Sequence, residues 1–308
     1  MKIAFFTEMG FNGKIPRTHE NMRTEFAWMC ALNATHYTIG QVPNEEYDLG
    51  VVIIPKNNPN FNIDELKSTC KKVAIMQEGP NWFWQDYDLA KQIWYFNTLT
   101  SADIIFTHNK ADQMYYQGLT SHPDVRVLPA LMIEEVISDI PSVERNGVII
   151  GGNFVSWYGG FDSYIIASDL SEDVYAPSMG RRQPGEEHLI KHLPYMNWKE
   201  WIYALNKFKW GIHLMRTHAA GTFALNCSYL GIPCIGYNGL DTQELLHPNL
   251  SVDVGDLQTA RKLALKLKDE EFYKEQSDIT KKMYKEFYSE DKFYSAFKKQ
   301  FEISQMVL

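Results

Sequence analysis

The chain has 308 residues, room for about two domains at roughly 150 residues each. Hydrophobic residues make up 45% and charged residues 22%, which excludes a collagenous or disordered chain. The formal net charge of −8 speaks against general binding to nucleic acid or to an anionic membrane surface. Four cysteines (Cys30, Cys70, Cys227, Cys234) show neither C-x-x-C nor metal-ligand spacing. They read as small apolar residues in a reducing compartment. The opening MKIAFFTEMG is too short in apolar residues for a signal peptide, and no apolar run approaches the ~18 residues of a membrane span. A cytoplasmic protein with no integral membrane association is expected.

Residues 2–7 (KIAFFT) predict a buried strand, followed by a loop with Gly10 and Gly13. A helix is expected over 19–33, where Met22, Phe26, Met29 and Cys30 recur at helical spacing. Strands follow at 49–54, 72–76, 103–107 and 125–128, with helices at 64–70, 89–99 and 111–118. Near-continuously apolar strands alternating with helices specify a parallel sheet covered on both faces. Residues 129–147 carry Pro129, Glu134, Glu135 and Pro141 in a broken pattern and read as a linker. The alternation then restarts, with strands at 148–150, 174–176, 210–214 and 233–237 and helices at 161–168, 198–208, 221–230 and 257–267. From 270 to the end the pattern is helical. The expected organisation is α/β: a domain over 1–140, a second over 146–284, and a last helix over about 285–308. Two successive open α/β sheets place a cleft between them, with ligands at the carboxyl ends of the strands.

The sharpest local signal is the strand Val148-Ile149-Ile150 running into Gly151, Gly152 and Asn153, then Phe154, Val155 and Ser156. Glycines after a strand let backbone N–H groups approach a phosphate, and a following helix adds favourable potential. A tight turn is the competing explanation. The run lacks the spacing of a G-x-G-x-x-G fingerprint or a P-loop, so hydride and phosphoryl transfer lose support.

The second signal is His218-Ala-Ala-Gly-Thr222-Phe-Ala-Leu-Asn226, continuing to Gly231-Ile-Pro233. Gly231 fits a helix cap and Pro233 a stop. This segment resembles the donor-binding stretch of nucleotide-sugar glycosyltransferases of the GT-B architecture, in which two Rossmann-like domains face a central cleft. The large retaining family has Glu, seven residues and Glu there; this chain has His218 and Asn226. The Gly-Gly segment resembles that of the phage DNA β-glucosyltransferases, which are inverting enzymes. The resemblance implies a donor site built from Gly151, Gly152, Asn153, Ser156, Arg181, Arg182, Leu193, Tyr195, Arg216, His218, Thr222 and Asn226. It also implies a last helix that packs back on the first domain, and no obligatory metal or other cofactor besides the nucleotide-diphosphate sugar, with UDP as the expected nucleotide.

By the same resemblance, Glu78, which follows the strand at 72–76, is the catalytic base, and an exposed loop carboxylate is the alternative. His108 follows the strand at 103–107 toward the same cleft edge. Gly13, His19, Trp82 and Trp84 are candidates for the acceptor side, since sugar rings stack on aromatic faces; core packing competes for the two tryptophans. The string Asp86-Tyr87-Asp88 follows no apolar strand and reads as helix capping rather than a metal motif. The expected acceptor is a glycan, lipid-linked sugar or small molecule ahead of modified DNA. A nucleotide-sugar epimerase and a non-catalytic small-anion binding protein are the competing classes.

Overall fold

A computed structural model describes residues 1–54, 61–77, 79–178 and 182–302. Glu78 and Arg181 lie outside the described residues. The first lobe runs β1 (Ile3–Thr7), β2 (Gly13–Lys14), α1 (Thr24–Ala31), β3 (Thr35–Thr38), β4 (Tyr47–Ile54), α2 (Ile63–Lys67), β5 (Cys70–Gln77), α3 (Leu89–Ser101), β6 (Ile104–Thr107), α4 (Lys110–Thr120) and β7 (Val125–Val127). Its strands lie in the order β2-β3-β1-β4-β5-β6-β7. All described pairs are parallel except β2 with β3. That exception corrects the expected all-parallel sheet: the Gly10–Gly13 loop turns the chain back, and a two-residue strand pairs along the edge. The expected helix at 19–33 begins only at Thr24: the His19 amide closes a turn on the Pro16 carbonyl, and Arg23 is still extended, at φ −63° and ψ 167°.

The second lobe runs β8 (Val148–Ile150), α5 (Gly160–Ser168), β9 (Val174–Ala176), β10 (Lys191–His192), α6 (Trp198–Leu205), β11 (Trp210–His213), α7 (Thr222–Leu230), β12 (Cys234–Tyr237), α8 (Asp241–Leu246), β13 (Ser251–Val252) and α9 (Leu257–Lys266). Its sheet is parallel, in the order β10-β9-β8-β11-β12-β13. The order reverses direction between β1 and β4 in the first sheet and between β8 and β11 in the second. Such switch points open a crevice at the carboxyl ends of the strands.

The helical tail breaks at Tyr288 into α10 (Glu270–Phe287) and α11 (Glu290–Glu302). Phe293 and Phe297 of α11 are buried in the cluster that holds Ile3, Phe5 and Trp28. The Gln300 side-chain amide donates to the Val127 carbonyl at 3.0 Å, and Arg126 donates to the Gln300 carbonyl at 2.7 Å. The last helix therefore packs back on the first lobe. The same apolar cluster continues into Ile149, Phe223 and Leu225 of the second lobe, so one core runs across both. No helix among the described residues is long and apolar enough to cross a membrane.

Candidate functional site

The site is built at the switch point of the second sheet. β8 runs into Gly151 and β11 ends on His213, on neighbouring strands in register at Ile150 and Ile212. A Cβ at Gly151 would stand 2.6 Å from His213 Cγ and 2.7 Å from the Phe223 ring, so glycine is what lets these rings close against the strand. The Gly151 amide donates to the Ile212 carbonyl at 2.9 Å. It is therefore spent within the sheet, which corrects the expectation that it would face a phosphate.

From β11 the chain passes through Arg216, Thr217 and His218 to Gly221, which starts α7 in the left-handed region with φ +66°. Gly221 has no side chain with which to cap the first-turn N–H groups of α7, which in any helix lack an intrahelical carbonyl. The start of α1 in the first lobe likewise lacks a side-chain cap. Both helix starts face the cleft. One cavity of about 390 Å³ is lined by Arg23, Tyr195, Trp201, Thr222 and Asn226, among others. An adjoining cavity of about 290 Å³ is lined by His108, Gly151, Tyr158, His213 and Thr222, among others. Thr24, Glu25 and Thr222 line both. The positive ends of two helix dipoles thus converge on one crevice, an arrangement that favours an anion.

Of the expected residues, His108, Gly151, Tyr195, Thr222 and Asn226 come together around these cavities. His108 stacks on Trp28, ring centroids 5.6 Å apart. Asn226 is buried, whereas Tyr195 is exposed and receives a hydrogen bond from Arg23. Arg182 donates to Ser178, a lining residue of the larger cavity, at 3.0 Å.

Others stand elsewhere. Trp84 is buried in the first lobe and stacked on Tyr95 at 5.6 Å, so it serves the core and not an acceptor sugar. Trp82 donates its indole N–H to Thr217 Oγ1 at 2.7 Å, joining the lobes. His19 sits edge-on between Phe11 and Phe26, and Gly13 belongs to the edge strand β2. None of these four lines either cavity. Gly152 and Asn153 are buried behind the β8 turn, with Asn153 Oδ1 accepting from the Val155 amide at 3.3 Å, and Ser156 is exposed. The Leu193 amide donates to the Ala176 carbonyl at 2.8 Å, extending the edge of the second sheet. Arg216 pairs with Asp162 at 2.5 Å. Asp88, in the D-x-D string, caps α3 by accepting from the Lys91 amide. Among the described residues no group of three or more His, Cys, Asp or Glu side chains is placed to hold a metal ion.

His218 lies at a second junction of the lobes, with Nδ1 3.9 Å from Asp112 of α4. Asp112 accepts from Asn81 and Asn109 side chains, each at 2.9 Å. Asn109 also donates to the Ala219 carbonyl at 3.2 Å, and the Lys110 amide to Asp241 at 3.1 Å. Burial pushes the Asp112 carboxyl up to about 7, against the pull of its two asparagine donors. Burial holds the His218 imidazole below its usual range.

The expectations passed over Arg23, Glu25 and His213. Arg23 and Glu25 stood inside a helix expected to start earlier, which concealed the helix start. His213 stood within an apolar run, where its only signal was an imidazole at the carboxyl end of a buried strand.

Two Rossmann-like lobes with switch points facing one cleft define the GT-B architecture. No family model matches the chain, and no curated protein matches it in sequence. Solved structures do. The chain is similar to sucrose-phosphate synthase from Thermosynechococcus elongatus, at 10% identity and TM-score 0.66, covering 100% of both chains. It is similar to an alpha-glucosyltransferase in complex with UDP-glucose and DNA containing an abasic site, at 12% identity and TM-score 0.64, over 98% of this chain and 99% of that one. Anabaena Alr3699/HepE in complex with UDP matches at 10% identity and TM-score 0.63, over 98% and 100%. Against a chain of the GtfA/B complex the TM-score is 0.58 at 11% identity, and 82% of this chain spans 57% of that one. These likenesses establish the fold.

Proposed function

We propose that the protein is a glycosyltransferase that moves a sugar from a nucleoside diphosphate sugar, with UDP as the nucleotide, to an acceptor hydroxyl. The observation that carries this reading is the pair of adjoining cavities that share Thr24, Glu25 and Thr222 at the starts of α1 and α7. A diphosphate suits the junction, where two helix dipoles converge. The larger cavity takes the nucleoside: Tyr195 and Trp201 offer aromatic faces, and the Asn226 amide can donate to and accept from ribose hydroxyls. The smaller cavity takes the sugar beside His108. Two of the similar structures are complexes with UDP-glucose and with UDP. The net charge of −8 favours a glycan, lipid-linked sugar or small molecule over DNA as acceptor.

Departure of the diphosphate places developing negative charge at the junction. The two helix starts, Arg23 and Arg182 are the groups assigned to stabilise it, without a metal. Glu78 follows Gln77, the last residue of β5, and precedes Gly79, which lines the sugar cavity. We assign Glu78 as the base: it takes the acceptor hydroxyl proton while the oxygen attacks the anomeric carbon opposite the diphosphate, a single displacement that inverts configuration.

Calorimetric titration with UDP and UDP-glucose, followed by assay of UDP release with and without acceptor sugars, tests the reading. Binding is expected, with release that acceptors stimulate and EDTA leaves intact. Glu78→Gln is expected to lower turnover by about 100-fold or more while UDP affinity stays unchanged. A product that keeps the donor's anomeric configuration would exclude the single displacement. Absence of affinity for any nucleoside diphosphate would exclude the function itself.

A further inference from the structure

We propose that His213 is a donor-binding residue, its imidazole hydrogen-bonding a phosphate oxygen of the nucleotide sugar at the switch point between β8 and β11. This rests on the reading of the cleft as a nucleotide-sugar site.

Four other histidines find hydrogen-bond partners within the protein. His36 bonds Thr7 Oγ1 and the Asn12 amide, each at 2.9 Å. His122 bonds the carbonyls of Asp124 and Ala102. His192 meets Glu186 at 2.6 Å. His247, also buried, contacts the Ala224 carbonyl, Thr280 Oγ1 and the Cys234 amide. These four histidines are satisfied within the fold, as buried polar groups require. His213 differs. It is 8% exposed, and Nε2 is buried with no hydrogen-bond partner.

Its position explains what it is for. His213 ends β11 in register with Gly236 of β12, and it faces Gly151 on the other side. Glycine at 151 makes room for the imidazole at the cavity wall. The Phe223 ring holds it edge-on, with centroids 5.3 Å apart. Phe223 is the second residue of α7, so the imidazole stands beside the helix start where the diphosphate is placed. A side chain serving only to fill the core would be apolar here. Burial depresses the basicity of the ring to about 4, so at neutral pH it is uncharged and brings one N–H donor and one acceptor nitrogen.

The test compares His213→Phe with His213→Gln, reading UDP affinity by calorimetry and folding by thermal unfolding. Phenylalanine keeps the ring volume and removes the hydrogen bond; glutamine keeps a donor. His213→Phe is expected to lose about tenfold or more in UDP affinity while its melting temperature is maintained or raised, and His213→Gln to stay within about threefold of the wild type. In the unaltered protein, nitrogen-15 spectra of the histidines are expected to show the His213 ring shifting as UDP is added. This reading needs no variant to fold. Wild-type-like UDP affinity in His213→Phe, or a His213 resonance that UDP leaves in place, would overturn the inference and leave the donor site standing. A wild-type protein that binds no UDP would remove both.

Discussion

Asp112 shows how much one buried carboxylate can weigh at a junction of lobes. Its side chain is 4% exposed, held by Asn81 and Asn109, and burial pushes it up to about 7. An acid whose folded pKa lies above its unfolded value of about 3.9 binds its proton more tightly when folded. Its contribution to stability is complete below the unfolded value and lost as pH rises to about 7, beyond which the folded protein bears the whole cost of a buried anion. The His213 and His247 imidazoles, lowered to about 4, act in the opposite sense, costing stability as pH falls below about 6.5. They are common to wild type and variant, so the difference between Asp112→Asn and wild type isolates the carboxyl. Asp112→Asn is expected to gain relative stability between pH 5 and pH 8, on the order of a few kcal/mol. Thermal unfolding at both values checks this; a difference independent of pH would contradict it. Residues of this kind show where sequence stops being legible. Thr222 and Asn226 were marked by their place in a helix that runs to Gly231-Ile-Pro233, and His108 by its place after a strand. His218 was marked by the same spacing yet turns toward Asp112, because contact with α4 depends on strand order. Trp82 and Trp84 read alike in sequence, and burial alone separates a lobe-joining indole from a core one.

Among the elements, α7 decides the site. It starts at Gly221 and ends at Gly231, both with positive φ, and both limits were readable from the sequence as glycines bracketing a small-residue helix. A Cβ at Gly221 would stand 1.9 Å from Thr242 Oγ1, in addition to the strain of a left-handed alanine. Gly221→Ala is therefore expected to cost about 2 kcal/mol or more and to move the first turn of α7. Denaturant unfolding gives the first quantity, and weakened UDP binding in calorimetry the second. Unchanged UDP affinity would show that this turn makes no contact with the nucleotide. The longer apolar strands, such as β1 and β4, were legible because parallel strands buried on both faces are apolar nearly throughout. Strands β2, β10 and β13 have two residues each and too little periodicity to register. The switch points were invisible for a different reason: they are properties of strand order, which no local pattern carries.

At the scale of the molecule, the tail is a strap between lobes. α10 holds α7: Ser277 Oγ donates to the Gly231 carbonyl at 2.7 Å, and Ser228 Oγ to the Thr280 carbonyl at 2.8 Å. After the break at Tyr288, α11 lies on the first lobe, where Tyr294 donates to the Ala31 carbonyl and Arg17 pairs with Glu290 at 2.7 Å. The resemblance implies a returning helix but not its division of labour, since nothing local in the sequence says which half meets which lobe. Phe297, 5% exposed, anchors the second half. Its truncation leaves a cavity as well as losing transfer energy, so Phe297→Ala is expected to destabilise by about 3–5 kcal/mol. α7 is braced by α10 and, on the proposed function, meets the nucleotide, so saturating UDP is expected to raise the melting temperature of this variant by as much as that of the wild type. Thermal scans with and without UDP measure both effects. A variant that melts earlier and has also lost the UDP response would mean that α11 sets the geometry of the nucleotide site through the first lobe. The start of α1, with Arg23, would then be the part of the cleft that had moved.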